Sequence, residues 1–157
     1  MAGSHERGID AADPRLFEEA LTFVTPGRKT SPSALQTVVD FWKKISRRVA
    51  VISAEEHDRI TAQISHLPHL LAAVLVDSVP KRALPFAASG FLDSTRVAQG
   101  DPKLWEPIFR ENRKEVRRAL RNFETRLKRI KKILATKDLP GLARLLGRSC
   151  KRRSSLE

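Results

Sequence analysis

Hydrophobic positions after residue 53 recur at steps of three and four, the period of helices that bury one face. This pattern predicts one long helix over residues 54–79. Ser53 lies at its N-cap position and Glu56 follows three residues later, a spacing that lets two side chains satisfy backbone N–H groups. The predicted buried stripe consists of Ile60, Ile64, Leu67, Leu71 and Val74.

Three of the four histidines, His57, His66 and His69, lie on this predicted helix. At about 100° per residue, His66 is expected roughly opposite His57, whereas His66 and His69 are neighbours on a face of small side chains. On helical spacing alone, such a pair is more often a polar helix face than a ligand site. His57 lies close to the apolar stripe, so we expect it to be structural.

Strands and helices alternate before residue 53. Asp13 followed by Pro14 predicts a short helix over residues 14–20. Strands are predicted at residues 21–24 and 48–52, with a helix over residues 33–44 between them. Such a β-α-β unit normally belongs to a larger parallel sheet. The predicted stripe of this helix is Leu35, Val38, Val39 and Trp42.

The rest of the chain is predicted to be helical apart from a loop over residues 80–89. Asp101 and Pro102 signal a helix start, Asn112 a break, and residues 139–149 a final helix. From Phe109 to Leu134 the apolar residues form a seam of about 38 Å at 1.5 Å per residue, long for one small domain to cover. We therefore expect a homodimer. The seam consists of Phe109, Val116, Leu120, Phe123, Leu127, Ile130 and Leu134.

The formal net charge of +12 raises the alternative of a nucleic-acid-binding module. Most of the excess lies within residues 110–132 and 151–153, where basic residues alternate with the apolar seam. A solvated helix face explains this pattern better, because aromatic residues make up only 6% of the chain and do not interleave with the charges. Nucleic acid is therefore an unlikely partner. A non-enzymatic helical dimer or basic scaffold stays open as an alternative.

Few other features restrict the location of the protein. A single cysteine, Cys150, favours a reducing, cytoplasmic setting. No apolar run approaches the ~20 residues of a membrane span, so no membrane partner is expected.

Four ordered segments resemble the prephenate dehydrogenase family, the NAD(P)-dependent enzymes of tyrosine biosynthesis. They are Met-Ala-Gly-Ser at residues 1–4, Glu-Glu-His-Asp with Ile-Ser-His-Leu-Pro-His at 55–58 and 64–69, Gly-Phe-Leu-Asp-Ser-Thr-Arg at 90–96, and Asp-Pro-Lys-Leu-Trp with Phe-Arg-Glu-Asn at 101–105 and 109–112. The resemblance implies a mainly α chain. Its helical dimerisation and substrate domain would occupy residues 53–155, preceded by a small β-α-β remnant of the dinucleotide-binding domain over residues 1–52.

The resemblance also implies the C-terminal part of a prephenate or arogenate dehydrogenase, which oxidatively decarboxylates prephenate to 4-hydroxyphenylpyruvate. The family's catalytic histidine, in a His-Pro pair, would precede Met1, which is expected to be an internal methionine of a longer enzyme. The seven glycines include no G-x-G-x-x-G motif. We therefore expect this chain alone to dimerise and carry substrate-binding residues, but to bind neither NAD nor NADP and not to turn over.

The substrate-binding residues that the resemblance implies are Ser4, His66, His69, Asp93, Arg96 and Trp105. Arg96 offers a planar fork for a substrate carboxylate, and prephenate has two carboxylates. Asp93 would either orient Arg96 or cap the following turn. The two histidines would donate hydrogen bonds in the pocket and Ser4 would reach substrate or cofactor. Trp105 would lie near the partner subunit's pocket, or alternatively in the core.

Overall fold

A computed structural model describes residues 12–156. The chain forms two compact units, Met1–Val116 and Arg117–Glu157. The mainly α fold is confirmed: seven α-helices and only two short strands occur among the described residues. None of the helices in this range is long and apolar enough to cross a membrane.

The first unit begins with a β-α-β arrangement. Strands β1 (Leu21–Val24) and β2 (Arg48–Val51) pair in parallel, with Leu21 opposite Arg48, and helix α1 (Pro32–Lys43) connects them. The Ser31 hydroxyl accepts a hydrogen bond from the Ala34 N–H at 3.2 Å, which confirms the predicted cap. The predicted stripe of α1 is only partly correct, because Val39 is buried but Val38 is exposed.

The predicted helix over residues 14–20 is wrong. This stretch forms successive turns, in which the Leu16 N–H donates to the Asp13 carbonyl and the Glu18 N–H donates to the Arg15 carbonyl, both at 3.0 Å. These are three-residue steps rather than the four-residue steps of an α-helix. Most of the segment is exposed, and so short a helix is not stable without an apolar face to pack.

The predicted long helix after Ser53 has a π-helical interruption. It comprises α2 (Ala54–Thr61), a π segment (Ala62–His66) and α3 (Leu67–Ser78). The Ser53 cap is confirmed, with the Glu56 N–H donating to its hydroxyl at 3.1 Å. The cause of the wider turn is Pro68, which has no N–H to donate and whose ring would clash with the Ile64 carbonyl one turn earlier.

The predicted buried stripe of this long helix is only partly correct, because Ile60, Leu67 and Leu71 are partly buried but its other two members are exposed. Ile64 is 66% exposed and Val74 61% exposed. The buried face lies elsewhere and carries polar and small side chains, namely Thr61, Ala62, His66, His69 and Ala72. The histidine face is thus the inner face of the first unit, and part of the apolar stripe lies on its surface.

The remaining elements are a 3₁₀ turn (Lys81–Phe86), α4 (Ser89–Thr95), a second 3₁₀ turn (Arg96–Gln99), α5 (Pro102–Glu111), α6 (Arg113–Ala135) and α7 (Leu139–Ser154). The Asp101 cap is confirmed by a 2.9 Å bond from the Lys103 N–H. The break at Asn112 is also confirmed. The predicted loop over residues 80–89 contains the first 3₁₀ turn, residues 90–95 are helical, and α7 continues five residues beyond the predicted end.

The apolar seam is interrupted at Asn112 and is only partly covered. Leu127 and Leu134 are 44% and 57% exposed, whereas Val116 is buried. In the second unit, α6 is followed by a tight turn in which Lys137 adopts a left-handed φ of 52°. Asp138 then caps α7 by accepting the Gly141 N–H at 2.8 Å.

Candidate functional site

Two rings from different helices stack in the first unit. The imidazole of His69 on α3 lies 3.7 Å from the Trp105 ring on α5, with 19° between the planes. Gly100 lies directly beside this pair, since a Cβ at that position would come within 2.5 Å of Trp105 Nε1 and 2.7 Å of His69 Cε1. The stack therefore requires glycine at position 100 for a steric reason.

His66 belongs to a second layer behind this stack. Its ring meets Trp105 and Phe109 edge-on, with centroids 6.2 and 6.1 Å away. Asn112 Nδ2 donates to the Asp58 carbonyl at 2.8 Å and lies 3.2 Å from His66 Nδ1.

The Asn112 contacts fix the protonation of His66. A carbonyl can only accept, so the atom facing Asp58 must be the amide nitrogen of Asn112, and His66 Nδ1 must accept the second N–H of the same group. His66 is then a neutral imidazole that carries its proton on Nε2. Asn112, at the break between α5 and α6, thus ties α5 to α2 and to the π segment.

Burial lowers the pKa of both histidines of the pair. Desolvation is the main cause for His66, the neighbouring His57 lowers its pKa further, and Asp58 offsets part of the shift. Desolvation alone lowers the pKa of His69. Because His69 Nδ1 is buried without a hydrogen-bond partner among residues 12–156, a neutral ring with one free polar atom lies at the stack.

The stack opens onto a cavity of about 660 Å³, which we call the aromatic groove. Its volume lies in the range of small-molecule sites. Arg110 pairs with Glu106 at 3.1 Å, whereas the Arg113 guanidinium has no ion pair within the described residues. The groove is lined by His69, Leu70, Ala73, Ala98, Gly100, Pro102, Trp105, Glu106, Phe109, Arg110 and Arg113.

The structure brings some of the predicted site residues together and leaves others apart. His69 and Trp105 line the groove and His66 supports them from behind. Arg96 is exposed at the start of the second 3₁₀ turn, two residues from Ala98 of the groove wall, and does not itself line the groove. Ser4 lies outside the described residues.

Asp93 makes neither of its two expected contacts among the described residues, and its substrate role stays a prediction. It is exposed within α4, no ion pair joins it to Arg96 among residues 12–156, and no side-chain cap precedes the following 3₁₀ turn. Because residues 90–95 are helical, Asp93 is not at a helix start.

Sequence reasoning missed three residues of this site. The sequence pattern does not single out Gly100 or Arg113, and it indicates Asn112 only as a helix break. The interruption of the helical pattern at Asn112 was the one available signal, because an asparagine between two helices frequently has a structural partner. No pattern in the sequence distinguishes Arg113 from its basic neighbours.

The connection between β1 and α1 does not fit a dinucleotide pyrophosphate. Between β1 and α1, where parallel sheets of this kind hold phosphates, the connection contains one glycine, Gly27. Its N–H already donates to the Thr30 hydroxyl at 3.0 Å. This connection therefore offers no glycine-rich cradle of free N–H groups.

Family models match both parts of the chain. The model described as "Prephenate dehydrogenase, dimerization domain" matches residues 53–148, and "Prephenate dehydrogenase, nucleotide-binding domain" matches residues 1–51. The chain belongs to the prephenate dehydrogenase family. The resemblance found in the sequence motifs is thereby confirmed.

Curated relatives agree with this family. The chain is 34% identical over 145 residues to the cyclohexadienyl dehydrogenase of Zymomonas mobilis, covering 88% of this chain and 50% of that protein. It is 37% identical over 139 residues to the prephenate dehydrogenase of Bacillus subtilis, covering 85% of this chain and 37% of that protein. The chain thus spans at most about half the length of these relatives.

Solved structures of prephenate dehydrogenase family members superpose on nearly the whole chain. The arogenate dehydrogenase of Synechocystis matches with a TM-score of 0.88 and 27% identity over 99% of this chain and 59% of that one. The prephenate dehydrogenase of Aquifex aeolicus, in complex with hydroxyphenyl propionate and NAD+, matches with a TM-score of 0.90 and 29% identity, over 100% of this chain and 57% of that one.

Proposed function

We propose that this chain is the dimerising, substrate-binding part of a prephenate or arogenate dehydrogenase, and that its aromatic groove receives the substrate ring. The observation that carries the proposal is the His69–Trp105 stack beside Gly100, which forms one wall of a largely apolar cavity. Residues 1–52 would belong to the nucleotide-binding domain and residues 53–155 to the dimerisation and substrate domain.

The groove suits a ring that carries anionic groups. Trp105 and Phe109 supply flat apolar surface, against which a cyclohexadiene ring would lose water favourably. Arg113, with no ion pair among the described residues, would bind a carboxylate at the groove, and Arg96 on the adjoining 3₁₀ turn would bind the second. His69 would remain neutral near pH 7 and form one hydrogen bond to a polar group of the substrate.

Dimerisation is supported by the apolar surface of the π segment, α3 and α6. Ile64, Val74 and Leu134 are more than half exposed in the single chain, and exposed apolar side chains on several helices favour a self-complementary interface. The matched family model is itself named as a dimerisation domain. Chemistry with NAD or NADP would require a glycine-rich dinucleotide site, which the connection between β1 and α1 does not supply.

Ligand binding to the unmodified chain tests this proposal. Hydroxyphenyl propionate, prephenate and arogenate are titrated separately, and Trp105 fluorescence is followed in a Trp42→Phe background so that one indole reports. We expect saturable quenching, because a bound ring would contact the Trp105 face. His69→Asn should weaken binding roughly tenfold or more, the scale for a buried polar contact.

His57→Asn is the matched control, since His57 lies on the same helical run but packs edge-on against Phe23 at 5.5 Å, away from the groove lining. It should lower the thermal midpoint more than the affinity. Equal affinity of wild type and His69→Asn, or absence of quenching at millimolar ligand, would contradict the groove assignment. Comparison of the two substrates would show which of them the chain prefers.

A further inference from the structure

The positive charge of the chain is concentrated in the second unit. Residues 117–157 hold 14 of the 30 basic residues and 3 of the 18 acidic residues, so they carry a formal charge of +11 out of +12. The other 116 residues are nearly neutral. A charge confined to two helices requires a local explanation, because solubility alone would be served by charge spread over the surface.

Arginines from both helices meet at one cavity of about 350 Å³. Arg126 and Arg129 approach it from α6, and Arg148 and Arg152 approach it from α7. The apolar side chains of Ile130 and Leu145 and the Ser149 residue complete the lining. We call this cavity the arginine cleft.

A smaller cavity of about 200 Å³ adjoins the cleft and shares two of its arginines, Arg129 and Arg148. Lys132 and Arg144 add two further positive charges there. Its single carboxylate belongs to Asp138, which lies 4.0 Å from Arg144 and also caps α7. Six basic side chains thus line two cavities that share part of their walls.

The guanidinium groups of the four cleft arginines have no ion pair or hydrogen bond within residues 12–156. Four like charges around one concave space repel one another, and a concave wall raises the local potential above that of a flat surface. An anion in the cleft would remove this repulsion. Arginines that served only to keep a helix face hydrated would have a lower electrostatic energy far apart from one another. These four arginines instead converge on one cavity from two helices.

We infer that the arginine cleft binds an oligophosphate group, either free or as the phosphate chain of a nucleotide. Arginine forks match phosphate oxygens in bidentate geometry, and several adjacent phosphates would use all four forks at once. A single carboxylate would leave most of them unused. This site is separate from the aromatic groove and does not depend on the function proposed for that groove.

Nucleic acid is the less favoured polyanion. Binding of single strands relies on aromatic side chains that stack on bases, and Phe123 is the only aromatic residue within 117–157. Phe123 does not line the cleft. A bounded cavity of this volume is suited to a compact anion rather than to a continuous strand.

Calorimetric titration of the full chain tests the inference. Inorganic tripolyphosphate and adenosine triphosphate are the two probes, at about 150 mM salt so that diffuse attraction between exposed charges is screened. We expect one saturable site per chain for tripolyphosphate. Tighter binding of adenosine triphosphate than of tripolyphosphate would identify the phosphate chain of a nucleotide as the ligand. Equal or weaker binding of adenosine triphosphate would identify a free oligophosphate as the ligand.

The variant for this test carries Arg129→Gln on α6 and Arg148→Gln on α7, which replace the two arginines that line both cavities. The matched control combines Arg121→Gln with Lys151→Gln, which removes the same charge from the same helices outside the cleft lining. The cleft variant should bind tripolyphosphate roughly tenfold or more weakly and the control less than about twofold more weakly. Circular dichroism of both variants verifies folding.

A label on Cys150, the single and exposed cysteine beside Ser149, supplies a second readout. Its fluorescence should change on tripolyphosphate addition with the same affinity as the calorimetric transition. Equal weakening by the cleft and control variants would overturn the inference, since binding would then follow net charge alone. Tighter binding of a single-stranded oligonucleotide than of either probe would also overturn it, in favour of a nucleic-acid surface.

Discussion

Gly100 is the position where the candidate site is most sensitive to a single added carbon. The substitution Gly100→Ala places a Cβ 2.5 Å from Trp105 Nε1, 2.7 Å from His69 Cε1 and 2.9 Å from Trp105 Cδ1. All three distances are shorter than any normal carbon contact. The atoms in the way belong to two stacked aromatic rings, so they cannot rotate aside as the end of a flexible side chain could.

The cost follows from the packing around the rings. His69 is buried, and Trp105 also contacts Phe109 with a centroid distance of 5.5 Å, so displacement of either ring disturbs its neighbours. Overpacking of this kind costs about 1–3 kcal/mol. Backbone strain adds nothing, since Gly100 has an ordinary φ of −58°. For a chain of this length, 2 kcal/mol corresponds to a drop of roughly 4–8 °C in the thermal midpoint.

Thermal unfolding by circular dichroism at one fixed protein concentration measures this effect. Trp105 fluorescence in the Trp42→Phe background reports whether the stack has opened. The control is Gly90→Ala, because Gly90 is a helical glycine of the same unit with no atom within 4 Å of its added Cβ. That variant should be neutral or up to about 1 kcal/mol more stable, since alanine favours helix.

The reasoning would be refuted if Gly100→Ala matched the wild type in thermal midpoint and in Trp105 emission. A loss of stability with unchanged emission would show that the chain yields elsewhere and that the stack is not rigid. Equal destabilisation by Gly90→Ala would show that loss of glycine in itself, rather than the contact with the two rings, is responsible.

Three further predictions concern pH, assembly and substrate binding. Burial holds the pKa of His66 and His69 below 6.5, so the unfolded chain binds protons before the folded chain does as the pH falls. The free energy of unfolding should therefore decrease below about pH 6.5 and become constant once the pH is below the lowered pKa values of the folded chain. Urea titrations at several pH values should show a weaker pH dependence for His66→Asn than for the wild type. Sedimentation should give twice the 17.7 kDa chain mass, and a monomeric wild type at micromolar concentration would contradict the dimer. Ile64→Asp should yield a monomer, whereas Gln63→Asp on the same segment should remain a dimer. In an enzyme that contains this chain and a functional dinucleotide site, Arg96→Ala should lower kcat/KM by a factor that corresponds to roughly 2–4 kcal/mol of lost stabilisation, and Arg96→Lys should recover part of the loss. An unchanged substrate dependence of the alanine variant would remove Arg96 from the site.

Local signals in the sequence determined much of the secondary structure. Ser31, Ser53 and Asp101 cap helices as predicted, and the two strands of the β-α-β unit lie where β-branched residues cluster. Such features depend on neighbours within a few residues, so a short window contains the information. Ordered motifs likewise identified the family and, through it, His69 and Trp105.

Hydrophobic periodicity did not predict the buried face correctly where two faces of one helix could each be buried. Along residues 54–79 the apolar stripe was assigned to the interior, but the structure buries the histidine face and exposes Ile64 and Val74. Hydrophobic spacing cannot tell packing within a chain from packing between chains, because both remove the same apolar area from water. The π segment that sets this orientation arises from Pro68, whose effect on the next turn a fixed angular step of 100° does not include.

The sequence by itself therefore determined where most helices and strands begin, the mainly α class and the family. Only the tertiary structure decided that Gly100 must lack a side chain, that Asn112 bonds to Asp58 and His66, and that four arginines share one cleft. Each of these contacts joins residues from elements that are separate in the chain. Their distances follow from how helices pack, and packing is a property of the folded chain rather than of any segment of it.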